Sequence, residues 1–228
     1  MAEPSQQDPT PLARTGPPRW LLITLAAIAI AALAFAIGRF STFGVAAQSS
    51  APTSDSAEAG FARDMQVHHA QAVDMAMTLY RETEDPDLRA LAYDIATAQS
   101  SQSGEMYSWL VKWGLPQRGG TLMSWMAGDP GHLDHGSTAA PATEAELLRD
   151  MGMATEQELD AFEAASGVEA NCQFLTLMTR HHEGAIDMVE AILRLGSEPR
   201  VLQVAQSMKD VQQFELDAMA AAALRLGC

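Results

Sequence analysis

Met-x-x-His-His occurs twice in this chain, at Met65–His69 and again at Met178–His182, and the match extends far beyond the motif. Phe61, Ala72, Asp74 and Met75 recur as Phe174, Ala185, Asp187 and Met188. The same offset carries Arg81 to Arg194, Pro86 to Pro199, Ala92 to Ala205, Gln99 to Gln212, Met106 to Met219 and Gly114 to Gly227. A duplicated unit must bury the same stripe twice. It also brings equivalent histidines and thioethers to wherever the copies meet, which makes metal binding the leading expectation.

Within the first copy, Phe61, Met65, His68, Ala72, Met75 and Leu79 share one face at helical spacing. The spacing predicts a helix ending near Glu84, followed by Asp85-Pro86 as a cap and first-turn proline. A second helix places Leu88, Leu91, Ala92, Ile95, Gln99, Gln102 and Met106 inward and ends at Trp113-Gly114. Its counterpart presents Val201, Val204, Ala205, Met208, Gln212, Glu215 and Met219. Gln99 with Gln102, and Gln212 with Glu215, are costly to bury without partners. Two amphipathic hairpins bury their stripes most simply as an all-α, antiparallel four-helix bundle.

An insert, 115–166, separates the copies. It opens with a Gly/Pro-rich stretch containing Met123, Met126, His132 and His135, then carries two capping boxes, Thr143-x-x-Glu146 and Thr155-x-x-Glu158. Its length marks it as a candidate lid.

From Trp20 to Ile37 every residue except Thr24 is apolar, a run within the roughly 17–25 residues that span a bilayer. Arg14 and Arg19 precede it and Arg39 follows, so the positive-inside bias places the N-terminus in the cytoplasm and the remainder outside. A cleavable signal is the alternative, with Val45-Ala46-Ala47 as its cleavage site. The expected organisation is a cytoplasmic tail at 1–19, a transmembrane signal anchor at 20–39, a flexible tether at 40–57 and a helical domain at 58–228. Residues 1–40 carry three arginines against Glu3 and Asp8, a net of +1, so residues 41–228 hold −16 of the total −15. That acidity argues against nucleic acid as a partner and concentrates cations, or simply maintains solubility.

Cys172 and Cys228 are the only cysteines, and an exported pair reads as a disulfide. Cys172 stands near the start of one helix and Cys228 at the end of the next, and these ends are adjacent in a helical hairpin. Paired cysteines for a Cys₂His₂ zinc site are lacking.

FARDMQVHHAQAVDMA, MGMATEQELDAF and above all FLTLMTRHHEGAIDM resemble the domain-of-unknown-function family numbered 305 over roughly 58–227. The resemblance implies a ferritin-like four-helix fold and an association with extracytoplasmic copper binding or copper tolerance. It implies that Met65, His68, His69, Met75, Met178, His181, His182 and Met188 form the repeated motif. Gln102 stands where an acidic residue is common in the family, and Met151-Gly152-Met153 lacks a proline often found there.

Thioethers are soft ligands suited to Cu(I), and imidazole serves Cu(I), Cu(II) and Zn(II), so the mixture favours copper, Cu(I) before Cu(II), with zinc behind. His69 lies about 100° around the helix from His68, so one histidine of each pair faces the axis and the other a neighbouring helix or the insert. Secondary candidates are His132, His135, Gln99, Gln212 and Glu215, while Glu183, beside His182, either orients an imidazole or faces water. Core packing is the competing account of the methionines, and a hydrogen-bonded structural cluster that of the histidines. No Glu-x-x-His motif is present, which argues against a di-iron oxidase. No Cys-x-x-Cys-His supports haem attachment, and no nucleophile stands out. The expected role is metal sequestration or handover, with a metal ion, the bilayer and a metal-transfer protein as partners. A redox enzyme, or a partner-binding module using Trp125 and Met126 on the insert, is the alternative.

Overall fold

In the computed structural model, which describes residues 19–43, 51–129 and 143–228, side chains mark where most of the helices begin. Ser56 accepts from the Ala59 amide and starts α2 (Ala57–Glu82), after α1 (Arg19–Phe43). Asp85 accepts from the Asp87 and Leu88 amides, and Pro86 opens α3 (Pro86–Trp113), which stops at Gly114 in the left-handed conformation. Thr143 and Thr155 close reciprocal capping boxes at α4 (Glu144–Asp150) and α5 (Glu156–Ala164). After α6 (Gly167–Leu195), Glu198 caps α7 (Pro199–Leu226), which ends at left-handed Gly227. No strand occurs among the described residues.

The described residues divide into two units, one holding α1 and the other holding 51–129 and 143–228. In the first, Arg19–Ile37 has a mean hydropathy of 2.6 and none of it is buried, so α1 is long and apolar enough to cross a membrane or to act as a signal. Residues 1–18 and Val45-Ala46-Ala47 lie outside the described residues.

In the second unit α2 packs on α3, α6 on α7, and α2 on α6. Its core has two halves. Met65, Met106 and Trp109 from the first copy share one half with Met188, Val201, Val204 and Met208 from the second. Met75, Leu79, Leu88 and Ile95 share the other with Phe174, Met178 and Met219. The start of α2 therefore packs with the end of α6, and the end of α2 with the start of α6. The copies run antiparallel, and equivalent residues fall in opposite halves of the core.

The described parts of the insert, 115–129 and 143–166, contribute to this core and do not simply cover it, while 130–142 of the expected lid lie outside the described residues. Met126 and Met151 are fully buried, and Trp125 is half-buried with its ring edge-on to Phe61 at 5.8 Å. A Cβ on Gly60 would stand 2.5 Å from the Trp125 ring, so this glycine makes the seat for the indole. The apolar surface expected around Trp125 and Met126 is thereby turned inward. Polar clamps complete the attachment: Arg194 holds fully buried Asp129 through two hydrogen bonds of 2.7 Å, and Arg180 holds Glu158 through two of 2.8 Å. Gln71 on α2 donates to the Ala154 carbonyl and accepts from its amide.

Cys172, in the second turn of α6, is bonded to Cys228 beyond the end of α7, with Cα atoms 5.4 Å apart. The disulfide staples the hairpin at the end where its chains would otherwise part.

Candidate metal centre

Between the two apolar halves lies a polar layer. The helical stripe that supplies Met65 to one half and Ala72 to the other places His68 midway, and the duplication does the same with Met178, His181 and Ala185. His68, His69, His181 and His182 are all fully buried. The His68 and His181 rings meet with centroids 3.6 Å apart, while His69 and His182 lie 6.4 and 6.3 Å from their sequence neighbours.

Every one of the four uses Nε2 in the same way. His68 donates to the Met151 carbonyl at 2.9 Å, and His181 donates to the His68 carbonyl at 3.0 Å. His69 reaches out to Gln102 Oε1 on α3 at 2.8 Å, and His182 to Glu215 Oε2 on α7, also at 2.8 Å. A carbonyl or carboxylate oxygen only accepts, so each Nε2 carries the proton. On the opposite side of the rings, Nδ1 of all four histidines is buried and has no hydrogen-bond partner. Gln99 and Gln212, three residues before Gln102 and Glu215, are likewise buried with both amide atoms unpartnered. Leaving so many polar atoms unpaired in one layer is costly.

Burial holds the rings of His68, His69 and His181 neutral. Desolvation, with a contribution from the neighbouring His69, brings His68 down to about 3, and desolvation brings His69 to about 4 against the pull of Gln102. Desolvation also carries His181 well below the ordinary range. Each of these three neutral rings, with its proton on Nε2, therefore has a bare lone pair on Nδ1. The unfolded chain takes up these protons below about pH 6.5, so their stabilising effect is fully present above that pH and drains away as the pH falls toward 4 and 3. We expect the apo protein to lose up to about 1.4 kcal/mol per pH unit for each such imidazole between pH 6.5 and 4.5. Urea titrations at pH 7.5, 6.5, 5.5 and 4.5 measure this, and a flat profile would contradict burial of the rings.

Duplication does not make the halves chemically equal. His182 faces a carboxylate that is 6% exposed, whereas His69 faces a neutral, half-buried amide. A carboxylate partner raises the basicity of an imidazole more than an amide does. Gln102 was expected on the inner face but not among the candidate site residues. Its position relative to His69, the same as that of Glu215 relative to His182, is the signal that identifies it. The Met151 carbonyl carries no side-chain signal at all. Its placement depends on Gly152 and Gly184, at which an added Cβ would stand 2.3 Å from the Arg180 oxygen and 2.0 Å from the Met151 oxygen.

The methionines are divided. Met65 and Met188 lie in one half of the core, Met75 and Met178 in the other, all essentially inaccessible to solvent. Among the described residues no three His, Cys, Asp or Glu side chains are grouped as a metal site. Imidazole nitrogens in a layer with methionines in the core on either side are donors that fit a soft ion. Glu183 is exposed. His132 and His135 fall outside the described residues.

The family model described as Domain of unknown function (DUF305) matches residues 58–223. A DUF305 protein from Streptomyces coelicolor, described as a candidate secreted protein, is 34% identical over 77% of this chain and 97% of its own, with a TM-score of 0.66. A DUF305 fragment from Deinococcus radiodurans is 30% identical over 74% of this chain and 96% of its own, with a TM-score of 0.60. CopM in its Cu(I)-bound form is 21% identical over 74% of this chain and 96% of its own, with a TM-score of 0.53. In its Cu(II)-bound form it is 23% identical over 75% and 97%, with a TM-score of 0.54. At that identity the likeness to CopM is one of fold. No curated protein matches the sequence.

Proposed function

Because the chain belongs to the DUF305 family, we propose that it is an exported copper-binding protein, held to the membrane by α1 with its N-terminus in the cytoplasm. Its second unit is a ferritin-like antiparallel four-helix bundle that sequesters copper or passes it to a transfer partner. The bound ion is Cu(I) in preference to Cu(II). Its ligands are drawn from His68, His69, His181 and His182 through Nδ1 and from the thioethers of Met65 and Met188 on one side and Met75 and Met178 on the other. Glu215 orients the His182 ring, and Gln99 and Gln212 complete the polar layer.

One observation carries this reading. In all four buried histidines Nε2 is spent on an oxygen acceptor while Nδ1 is left bare. Metal-binding imidazoles have this form, the second nitrogen fixing tautomer and ring orientation through a carbonyl or carboxylate. A purely structural cluster has no use for four unpaired buried nitrogens. The copper-bound forms of CopM, a protein of the same fold, support the choice of metal.

The test is an anaerobic titration of the full-length chain in mild detergent with Cu(I) against bicinchoninate. Wild type should compete for the ion, and the variant with all four histidines changed to alanine should not. Glu215→Gln, which keeps the shape of the layer, should weaken binding about ten-fold. Equal affinity in wild type and the four-alanine variant would remove these residues from the site.

A further inference from the structure

The histidine layer is closed to solvent, yet one of its members forms part of an open groove. Glu215, the partner of His182, lines a surface groove of about 480 Å³ between α3 and α7, together with Asp94, Thr97, Ala98, Val211 and Phe214. Ala98 and Val211 occupy equivalent positions of the two copies, so the groove opens where the second pair of helices faces itself across the duplication. Resting on the copper reading above, we infer that this groove is the route by which the cation reaches the layer, with Glu215 as the group that receives it.

Three observations converge on this route. Glu215 is a wall of the groove and at the same time 2.8 Å from His182 Nε2, so a cation on the carboxylate has already reached the imidazole layer. Behind it lie buried polar atoms with nothing to bind: His182 Nδ1 and both amide atoms of Gln212, one helical turn earlier on α7. Asp94 at the solvent side is exposed, and a carboxylate there raises the local cation concentration in a chain whose net charge is already −15. The equivalent of Glu215 in the first copy is Gln102, which has no charge with which to draw a cation from water. Loading is therefore one-sided in a site that the duplication otherwise makes nearly symmetric. The cation would give up water for a carboxylate oxygen of Glu215 and would enter the layer from there, its nitrogen acceptor being His182 Nδ1 on the side of the ring away from Glu215.

A tryptophan in the groove separates route from affinity. The full-length chain is mixed in excess with Cu(I)–bicinchoninate in a stopped-flow instrument, and loss of the chelate absorbance gives the uptake rate. Ala98→Trp, or the more exposed Thr97→Trp should the first fail to fold, is expected to slow uptake about ten-fold with unchanged stoichiometry and final affinity. Ala90→Trp, placed in a separate groove beside Tyr80 and Tyr93, should load at the wild-type rate. Asp94→Asn should slow uptake about two-fold in dilute buffer and not at 0.5 M salt, where the charge is screened. Equal rates in wild type and a folded groove variant would overturn the route while leaving the binding site intact. A wild-type chain that takes up no Cu(I) would remove both readings.

Discussion

Replacing Gly184 with alanine is expected to lower the unfolding midpoint by on the order of 10 °C, a large effect for one methyl group. An added Cβ at this position would lie 2.0 Å from the Met151 oxygen, 2.4 Å from its carbonyl carbon and 2.9 Å from the Gly152 nitrogen. These are backbone atoms, and they cannot rotate aside as a side chain end would. The segment is pinned from its other side as well: Gly152 has a φ of +75° and comes so close to the Arg180 carbonyl that it too has no room for a side chain. Forcing the strand of chain off α6 costs about 1–3 kcal/mol in packing. It also withdraws the Met151 carbonyl from His68 Nε2, and an orphaned buried donor adds about 1–3 kcal/mol. Gly104→Ala is the control, since nothing lies within 4 Å of the added atom, and there the removal of glycine from a helix should be neutral or slightly stabilising. Thermal melts followed by circular dichroism compare the two. If Gly184→Ala melts with wild type, the insert does not lie on α6 as described. Long-range proton–nitrogen NMR on the imidazoles provides the second readout, because His68 alone should lose its fixed tautomer.

Removing the disulfide by Cys172→Ser with Cys228→Ser should cost about 4 kcal/mol, the loop-closure value for two residues separated by 56 positions. The bond ties the second turn of α6 to the end of α7, so its loss frees both to fray together. Fraying begins in the half of the core holding Phe174, Met178 and Met219. Hydrogen exchange should therefore accelerate around Cys172–Leu175 and Met219–Ala223 before it does in α2. A loss under about 1 kcal/mol, or exchange spread evenly over both hairpins, would show that the hairpin is held by packing alone.

Much of this architecture was legible because it follows from local rules. The apolar stripes of α2, α3, α6 and α7, the Asp85-Pro86 start, the glycine stops at Gly114 and Gly227, and the capping boxes at Thr143 and Thr155 all depend on residues within a turn or two of one another. α2 ends at Glu82, two residues before the expected stop, because Thr83 takes an extended conformation ahead of the Asp85 cap. The proximity of Cys172 and Cys228 followed from hairpin topology. What could not be read was set by tertiary contact. Backbone carbonyls have no sequence identity, so nothing marked Met151 as the acceptor for His68 or His68 itself as the acceptor for His181. Nor did the stripe reveal that the methionines divide between two half-cores, since that depends on the copies running antiparallel. The core role of Met123, Met126, Met151 and Met153 was missed for a related reason: the length of the insert suggested a cover, whereas these methionines pack in the core beside α2 and α6.

A single copy of the repeat, expressed by itself, would own one part of each half-core and all of neither. Met65 would lack Met188, and Met75 would lack Met178, unless a second identical hairpin supplied them. The second unit thus has the geometry of a homodimer whose subunits have been joined end to end, with the tilted rings of His68 and His181, at equivalent positions of the two copies, meeting between them. In a true dimer any mutation appears on both sides of the axis at once. A single chain carrying both copies is free of that constraint, and Gln102 and Glu215 stand at what would be one residue in such a dimer.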